Sequence, residues 1–353
     1  MNQEKRLDRR SKLIKFLICL LILALVLAGL WFGLKWLDEK DIVESQIGDH
    51  GDWGKVAEPE ETLLLLDDEG WVYTDEVKTY LLIGTDATNK GSDGPRGEMA
   101  DFLMLFVINR TQNSFGFIQL NRDILMDVPV LDENGEMTGT YPEQLCTAHW
   151  YGRTEEERSA NTVKAVSMLL GDLPIDGVYS INMDDIGAIN SAIGGVEIEM
   201  TEDLTKVDKE FTKGAKVLLT DDQAEKYVRA RMEVGEGTNV ERMDRQLNYM
   251  EAAYNRVVHQ LREQPAYINT LYQELEDRIY TDQSGDSLNE FTEYITKGEN
   301  RGFLRFDGEA REGDTLKDGV KHTEFILKEG TLKETLGKLI ELKEESDTTI
   351  LND

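Results

Sequence analysis

Cysteine, histidine and basic residues are scarce in this chain of 353 residues. Cys19 and Cys146 are the only cysteines and Cys19 lies in an apolar run, which excludes an intrachain disulfide framework and a thiolate metal cluster. The four histidines lack ligand spacing, which argues against a zinc site. Lysine and arginine total 39 against 69 acidic residues, a formal net charge of -30. Because polyanion binding depends on basic residues that displace counterions, we expect no nucleic-acid partner.

An uncharged apolar run stands near the N-terminus, at residues 16–34. Its 19 residues are enough to cross the hydrocarbon core as a helix. Lysines and arginines precede the run and mostly acidic residues follow it, so the N-terminus is predicted to be cytoplasmic and the rest extracellular. A cleaved signal peptide is the alternative, but Trp31, Phe32 and Trp36 stand where small cleavage residues are expected. The pattern therefore predicts a single-pass protein of the cell membrane.

Composition divides the chain into five parts. We expect a cytoplasmic basic tail at 1–15, a transmembrane helix at 16–36, an acidic extracellular stalk at 37–76, a folded domain at 77–346 and a tail at 347–353. The stalk is acidic and contains several glycines, as solvated segments do, with one strand or short helix around residues 63–66.

Three short apolar runs at 79–83, 102–108 and 115–120 are typical of buried strands. A polar turn joins the second to the third, which indicates a hairpin. If the first strand also runs antiparallel to the second, one edge of the sheet carries Asp86, Asp101, and Arg122 with Asp123. Two carboxylates and an arginine would then face one crevice.

Helical and strand patterns alternate beyond this hairpin. Helices are predicted at 162–170 and 184–193, and strands at 178–181 and 196–200. This order predicts an α/β (α+β) sandwich with a central mixed sheet flanked by helices, preceded by the transmembrane helix. An amphipathic helix is expected at 331–345.

A second group of arginines lies further along the chain. The segment 227–231 is interpreted as a strand or extended turn in which Tyr227, Arg229 and Arg231 share a face. A capping box at 238–241 then starts a long helix. Arg242, Gln246 and Tyr249 lie on one face of it, with Arg245 beside them.

These residue types suit a doubly charged anion and a hard cation. Surface arginines are common, yet guanidinium groups placed by a strand and by a helix start can bind phosphate oxygens bidentately. Asp86 and Asp101 on one sheet edge offer the oxygen ligands that Mg²⁺ takes together with phosphate. Asp123 is predicted to fix the neighbouring Arg122 through an ion pair.

The order of these motifs resembles the LytR-CpsA-Psr family from about residue 80 to residue 254. The matching motifs are Leu81-Leu82-Ile83-Gly84-Thr85-Asp86, Ala100-Asp101, Asn121-Arg122-Asp123, Ile193-Gly194-Gly195-Val196, Tyr227-Val228-Arg229-Ala230-Arg231, and Arg242 with Arg245-Gln246. The resemblance implies a phosphotransferase that moves a glycopolymer, such as teichoic acid or capsule, from an undecaprenyl pyrophosphate carrier to peptidoglycan.

The resemblance also implies a role for each matching residue. Catalysis falls to Arg122, Arg229 and Arg231, which bind the pyrophosphate together with Arg242 and Gln246; Asp86 and Asp101 hold Mg²⁺; and Asp123, Arg245 and Asn239 support the site. The polyprenyl tail is expected in an apolar tunnel between sheet and helices.

The chain departs from the family pattern at two positions. Met99 stands where an arginine is usual, unless Arg96 reaches in from its loop, and Asn239 stands where an aspartate is frequent. Since an amide cannot act as a general base, two further functions stay open. They are hydrolysis of a prenyl pyrophosphate and binding of a lipid pyrophosphate without turnover.

Overall fold

The computed structural model describes residues 61–86, 98–231, 238–315 and 321–345. All of them fall within one compact unit, Pro59–Asp353. The predicted tail and span at 1–36 lie outside the described residues, as do Arg96 and the C-terminal tail. In the part of the chain that the structure describes, every helix is too short or too polar to cross a membrane.

The strands are numbered in chain order. They are β1 Thr62–Leu66, β2 Glu69–Tyr73, β3 Val77–Asp86, β4 Met99–Asn109, β5 Ser114–Leu120, β6 Leu125–Leu131, β7 Met137–Gln144, β8 Gly177–Asn182, β9 Glu197–Glu199, β10 Lys216–Leu218, β11 Ile279–Thr281, β12 Glu299–Arg305, β13 Gly308–Gly313, β14 His322–Leu327 and β15 Lys343–Glu344.

The α-helices are numbered in the same way. They are α1 Glu155–Leu169, α2 Ile186–Ala192, α3 Asp221–Arg229, α4 Asn239–Glu263, α5 Tyr267–Leu275, α6 Asp286–Lys297 and α7 Thr331–Leu336. Short 3₁₀ helices occupy Leu145–Trp150, Met183–Asp185 and Glu276–Arg278.

A mixed six-stranded sheet in the order β11-β8-β3-β4-β5-β12 forms the centre of the fold. β3 runs antiparallel to β4 and parallel to β8, and β4 runs antiparallel to β5. The predicted hairpin of the second and third apolar runs is therefore confirmed, and the first run is antiparallel to the second, the condition set for a shared edge. This arrangement brings the end of β3, the start of β4 and the end of β5 to one edge of the sheet.

Helices cover both faces of this sheet, because its central strands are apolar on both sides. On β4, Leu103 and Leu105 belong to the core cluster that includes residues of α1 and α7. The alternating residues Met104 and Phe106 join the cluster packed by residues of α4 and α6. The chain is thus a mixed α+β fold with a central mixed sheet and helices, as predicted.

The hairpin of β1 and β2 is part of the packed unit. Leu64 and Leu66 are fully buried, whereas the alternating Leu63 and Leu65 are exposed. The hairpin also pairs with β15, close to the C-terminal end of the described residues. These residues lie in the segment 37–76 that composition predicts as a stalk, and their burial places them in the folded unit instead.

The interpretation of 227–231 as an extended face is wrong. Thr220 and Gln223 form a capping box that starts α3, and this helix ends only at Arg229. Residues two apart in a helix point to different sides, so Tyr227 packs on Phe211 while Arg229 reaches the sheet edge. Ala230 is the C-cap of this helix.

Two further helix predictions have different outcomes. The capping box of Thr238 and Glu241 starts α4 as expected. The helix predicted at 331–345 is too long, because α7 ends at Leu336 before Gly337 and β15 follows. The apolar side chains of this segment nevertheless pack in the core, namely Leu332, Leu336, Leu339 and Ile340.

The β1–β2 hairpin can be tested by paired leucine variants. Leu66→Ala removes a fully buried side chain and should lower the free energy of unfolding by about 2–5 kcal/mol. Leu65→Ala, at a neighbouring position that is 58% exposed, should change it by about 0.5 kcal/mol or less. Urea denaturation measures both values, and equal effects would show that the hairpin is not part of the core.

Candidate functional site

A β-bulge places Asp101 on the face of the sheet that α4 covers. Gly84 pairs with Phe102 and Thr85 pairs with Ala100, so Asp101 is an extra residue in β4. Ala100 packs in the same cluster as Leu103, whereas Phe102 packs on the opposite face. Strict alternation would have turned Asp101 away from Phe102 and α4. The bulge instead allows its carboxylate to meet an arginine of that helix.

Asp101 is buried between two arginines from distant parts of the chain. Its Oδ1 forms an ion pair with Nη1 of Arg122, which follows β5, and its Oδ2 accepts a hydrogen bond of 3.1 Å from Nη1 of Arg242 on α4. The side chains of all three are at most 10% exposed. Because these side chains are buried, each charge must be neutralised by an ion pair, since an unpaired buried ion carries a large desolvation cost.

Amide side chains surround this cluster and fix its geometry. Asn239 Oδ1 accepts a hydrogen bond of 2.8 Å from Arg242 Nη2, while its Nδ2 donates to Asn121 Oδ1 over 3.0 Å. Asn121 Oδ1 also accepts the backbone N–H of Asp123 at 2.9 Å. The motif Asn121-Arg122-Asp123 is thereby tied to the first turn of α4, and Asn239 takes a structural place that needs both a donor and an acceptor.

Asp123 lies beside Arg122, as the sequence predicts. Its Oδ1 is 3.3 Å from Arg122 Nε and accepts a hydrogen bond of 3.2 Å from Gln144 Nε2. Met99 accepts a contact of 3.1 Å from Arg122 Nη2 through its sulfur. Cys146 is buried on the other side, and burial raises the pKa of its thiol despite the neighbouring Arg122.

Arg231 and Arg242 add positive charge at the same place. Burial, then Arg122 and Arg231, lower the pKa of Arg242 to about 9. Within the described residues, the Nε atoms of Arg231 and Arg242 are buried without a hydrogen-bond partner. These guanidinium donors could be satisfied by an anionic ligand with several oxygens.

Arg229 lies at the same edge, held by three carboxylates. Its Nη2 is 3.4 Å from Asp86 Oδ1 and 2.5 Å from Asp184 Oδ1, and its Nη1 is 3.1 Å from Glu225 Oε1. Asp184 follows β8, which runs parallel to β3 and ends beside it. The carboxylates keep the guanidinium in place while no anion is bound.

Arg245 points away from the cluster. It is 1% exposed, and it donates from Nη1 to Glu202 Oε1 over 2.6 Å and from Nη2 to the carbonyl oxygen of Ala230 over 2.5 Å. This second contact fixes the chain between Arg229 and Arg231. The geometry agrees with a supporting position for Arg245.

An apolar cavity of about 390 Å³ opens between the sheet and the helices next to these charges. Side chains of β3, β4, α2, α4, α5 and α6 are among those that line it, including Leu82, Phe106, Tyr254 and Phe291. Gln246, which also lines it, is 3% exposed, and its Nε2 and Oε1 both lack a hydrogen-bond partner within the described residues. A buried amide without partners marks the point where a ligand with polar atoms would enter.

Residues that line the cavity are close neighbours in sequence of residues in the charged cluster. Phe102 lines the cavity and follows Asp101, Val228 lines it and precedes Arg229, and Gly84 lines it two residues before Asp86. Gln246 lies one helical turn after Arg242. The lining residues thus adjoin the arginine cluster in sequence, an arrangement that fits an anion attached to a long apolar chain.

The carboxylates predicted to hold Mg²⁺ are both engaged by arginines. Asp86 contacts Arg229, and Asp101 contacts Arg122 and Arg242. Within the described ranges, groups of three or more His, Cys, Asp or Glu side chains placed for a metal ion are absent. Their oxygen donors suit Mg²⁺, which commonly takes one or two carboxylates plus phosphate oxygens. The residues fit the ion if an anion draws the guanidinium groups away.

Several contacts were not predicted from the sequence. Asp184 could have been found, because its position after a parallel strand places it at the same edge as Asp86. Glu225 could also have been found, because it precedes Arg229 by four residues on one helix. Glu202 on Arg245 and Cys146 beside Arg122 left no signal in spacing. The catalytic, binding, metal and supporting roles given to the ten predicted residues stay predictions.

Comparison with known sequences identifies one family. The LytR_cpsA_psr family model matches residues 57–339. The polyisoprenyl-teichoic acid–peptidoglycan teichoic acid transferase TagU of Halalkalibacterium halodurans is 27% identical over 174 residues, 49% of this chain and 51% of the relative. TagU of Bacillus mycoides is 28% identical over 177 residues, 50% and 51% of the two chains. The chain therefore spans about half the length of the curated relatives it matches.

Solved structures share the fold at low sequence identity. TagT bound to LI-WTA has a TM-score of 0.54 and 21% identity, and the match covers 75% of this chain and 91% of TagT. A protein from Streptococcus agalactiae has a TM-score of 0.58 and 19% identity over 78% of this chain and 95% of that chain. These similarities show that this chain shares its arrangement of sheet and helices with the two solved structures.

Burial and the neighbouring arginines predict that Arg242 loses its proton at a lower pH than an arginine usually does. Arg242 has a lowered pKa, so it is protonated at neutral pH in both the folded and unfolded states, and its burial cost is then fully present. As pH rises through about 9 the folded protein loses this proton first, which relieves that cost. The ¹³C NMR signal of an arginine Cζ should shift near this pH.

Two variants identify the titrating group. Arg122→Gln removes a neighbouring positive charge and should raise the pKa of Arg242. Arg153→Gln, at an arginine that is 71% exposed, should leave the titration unchanged. Absence of any arginine signal that titrates near pH 9, or the same titration in Arg122→Gln, would contradict the described cluster.

Proposed function

Because the chain belongs to the LytR_cpsA_psr family, we propose that it is a membrane-anchored phosphotransferase that transfers a glycopolymer from an undecaprenyl pyrophosphate carrier to peptidoglycan. The observation that carries the proposal is the apolar cavity that ends at Gln246, beside Arg122, Arg242 and Arg229. A polyprenyl chain would occupy the cavity, and its pyrophosphate would meet the arginines. The relatives named as teichoic acid transferases support the same assignment.

Binding of the donor would exchange carboxylates for phosphate oxygens. Arg122 and Arg242 now neutralise Asp101, and Arg229 neutralises Asp86 and Asp184. Guanidinium groups bind phosphate bidentately, so a pyrophosphate can take over some of these contacts. Asp86 and Asp101 would then hold Mg²⁺, which supplies charge neutralisation on the phosphoryl oxygens.

The reaction itself is an in-line displacement at phosphorus. A sugar hydroxyl of the acceptor attacks the phosphorus nearest the glycopolymer, the bond to the bridging oxygen breaks, and undecaprenyl phosphate leaves. Arg122, Arg229 and Arg231 stabilise the charge that develops on the phosphoryl oxygens. Asn239 cannot take the hydroxyl proton, and we assign that role to Asp184, a carboxylate at this edge that is 52% exposed.

Removal of Arg229 tests the proposed function. Arg229→Ala should lower the rate of glycopolymer transfer to peptidoglycan by about 10²–10³-fold, because one preorganised donor to the phosphoryl oxygens is lost. Arg278→Ala removes an exposed arginine that pairs with the neighbouring Asp185, and it should leave the rate unchanged. Wild-type transfer by Arg229→Ala, with the fold intact by circular dichroism, would overturn the mechanism.

The same assay separates the alternatives. Geranylgeranyl pyrophosphate and Mg²⁺ are incubated with the protein, with and without peptidoglycan. Phosphate release at one rate in both mixtures would identify a hydrolase. Binding without turnover in either mixture would identify a lipid-pyrophosphate-binding protein, a possibility favoured by the engaged amide of Asn239.

Metal dependence provides a further prediction. Removal of divalent ions with EDTA should abolish transfer, and Mg²⁺ should restore it. Asp86→Asn should raise the Mg²⁺ concentration needed for half-maximal rate by about 10-fold or more, since a carboxylate ligand is lost. The matched control is Asp222→Asn, at an exposed aspartate on α3 that pairs with Lys226. Transfer that is unaffected by EDTA would contradict the magnesium site.

A further inference from the structure

The hairpin of β6 and β7 presents an aromatic surface to solvent. Gly139 and Tyr141 lie on one face of β7, and a register shift that leaves Thr138 as an extra residue means that this face does not continue to Met137. Tyr141 is 54% exposed, a high value for a large aromatic side chain. Gly139, Tyr141 and Tyr151, which follows the 3₁₀ helix Leu145–Trp150, are named the tyrosine platform below.

The two tyrosines of the platform are held in a fixed arrangement. The rings of Tyr141 and Tyr151 are stacked, with centroids 6.2 Å apart and an interplanar angle of 12°. Tyr151 donates its hydroxyl to Glu143 Oε2 over 2.9 Å, and Thr147 Oγ1 donates to the same oxygen over 2.7 Å. An exposed but fixed aromatic ring loses little entropy when a flat ligand packs on it.

Gly139 lies between Met137 and Tyr141, where the chain itself does not require glycine. Its φ lies outside the left-handed region, and a Cβ built there would meet no atom within 4 Å among the described residues. Glycine in a strand interior weakens it and often marks a close approach by another molecule. The bare backbone here leaves room for a ring to lie flat beside Tyr141.

The hairpin connects the platform directly to the edge of the sheet that carries Asp101 and Arg122. β6 begins two residues after Asp123, and Gln144 at the end of β7 donates to Asp123 Oδ1 over 3.2 Å. Tyr141 is three residues from Gln144, a distance of about 10 Å along an extended strand. A short oligosaccharide could therefore lie on the platform with its reacting hydroxyl near Arg122.

The charge of the hairpin selects among saccharides. Residues 125–144 contain five acidic residues and neither lysine nor arginine. Arg153 contacts the hairpin at Glu133 over 3.1 Å but is shared with Glu157 at 3.1 Å. A polymer rich in phosphate would be repelled from this surface more strongly than a sparsely charged glycan.

We propose that the tyrosine platform binds the glycan strand of the peptidoglycan acceptor, an inference that rests on the proposed function. The apolar faces of pyranose rings pack on Tyr141 over the gap left by Gly139. The arginine-rich end of the cavity holds the donor, so donor and acceptor approach the phosphorus from different sides. The hairpin thus positions the attacking hydroxyl.

Binding of peptide-free glycan strands of peptidoglycan to the full chain tests the platform, with isothermal titration as the measurement. Tyr141→Ala should weaken binding by about 5-fold or more, the lower range for one aromatic stacking contact. Gly139→Val should weaken it as well, by blocking the flat approach. Tyr141→Phe should bind as the wild type does. Leu218→Ala, at an apolar residue on β10 that is 62% exposed, serves as the matched control.

Different results distinguish the platform from the donor site. Binding of geranylgeranyl pyrophosphate should be equal in all of these variants, because none of them touches the cavity. Glycan binding that is absent in the wild type, or unchanged in Tyr141→Ala, would overturn the platform while leaving the donor site intact. Loss of binding to a phosphate-containing glycopolymer in Tyr141→Ala, with glycan binding retained, would also overturn it. Absent donor binding with normal glycan binding would contradict only the proposed function.

Discussion

The buried ion cluster of Asp101 with Arg122 and Arg242 is the interaction on which the rest of the site depends. One carboxylate holds two guanidinium groups, each from a different element, in a place where water hardly enters. A charge in such an environment is stable only while it is paired. The bulge in β4, the end of β5 and the first turn of α4 are therefore fixed relative to one another by a single side chain.

The charge of this cluster also favours the binding of an anion. Within the described residues, Arg231 and Arg242 present buried Nε atoms without hydrogen-bond partners, and the pKa of Arg242 is lowered by burial and by its arginine neighbours. Both features describe excess positive charge that the protein alone does not neutralise. A pyrophosphate would add the missing acceptors, and release of the aspartates from the arginines would make their oxygens available to a cation. Substrate and metal binding are thus expected to depend on each other.

Two surfaces of different chemistry adjoin the cluster. On one side the apolar cavity is built from alternating residues of the central strands and from the inner faces of the helices, so it suits a hydrocarbon chain. On the other side the acidic β6–β7 hairpin extends from Asp123 into solvent and exposes aromatic rings. The arginines lie where these two surfaces meet, which is the place where a lipid-linked donor and a saccharide acceptor would have to react.

The sequence by itself determined the hairpin of β4 and β5, the start of α4 and the group of arginines, because apolar runs, polar turns and capping boxes are local signals. Side-chain spacing also placed Arg242 and Gln246 on the buried face of α4. It failed at 227–231, where the capping box at Thr220 extends a helix through Arg229, and it did not reveal that Leu64 and Leu66 belong to the core. Only the tertiary structure decided that a bulge turns Asp101 toward α4, that Asp184 holds Arg229, and that Tyr141 stacks on Tyr151. These contacts join residues that are distant in sequence or depend on the register of a strand, and neither leaves a period in the chain.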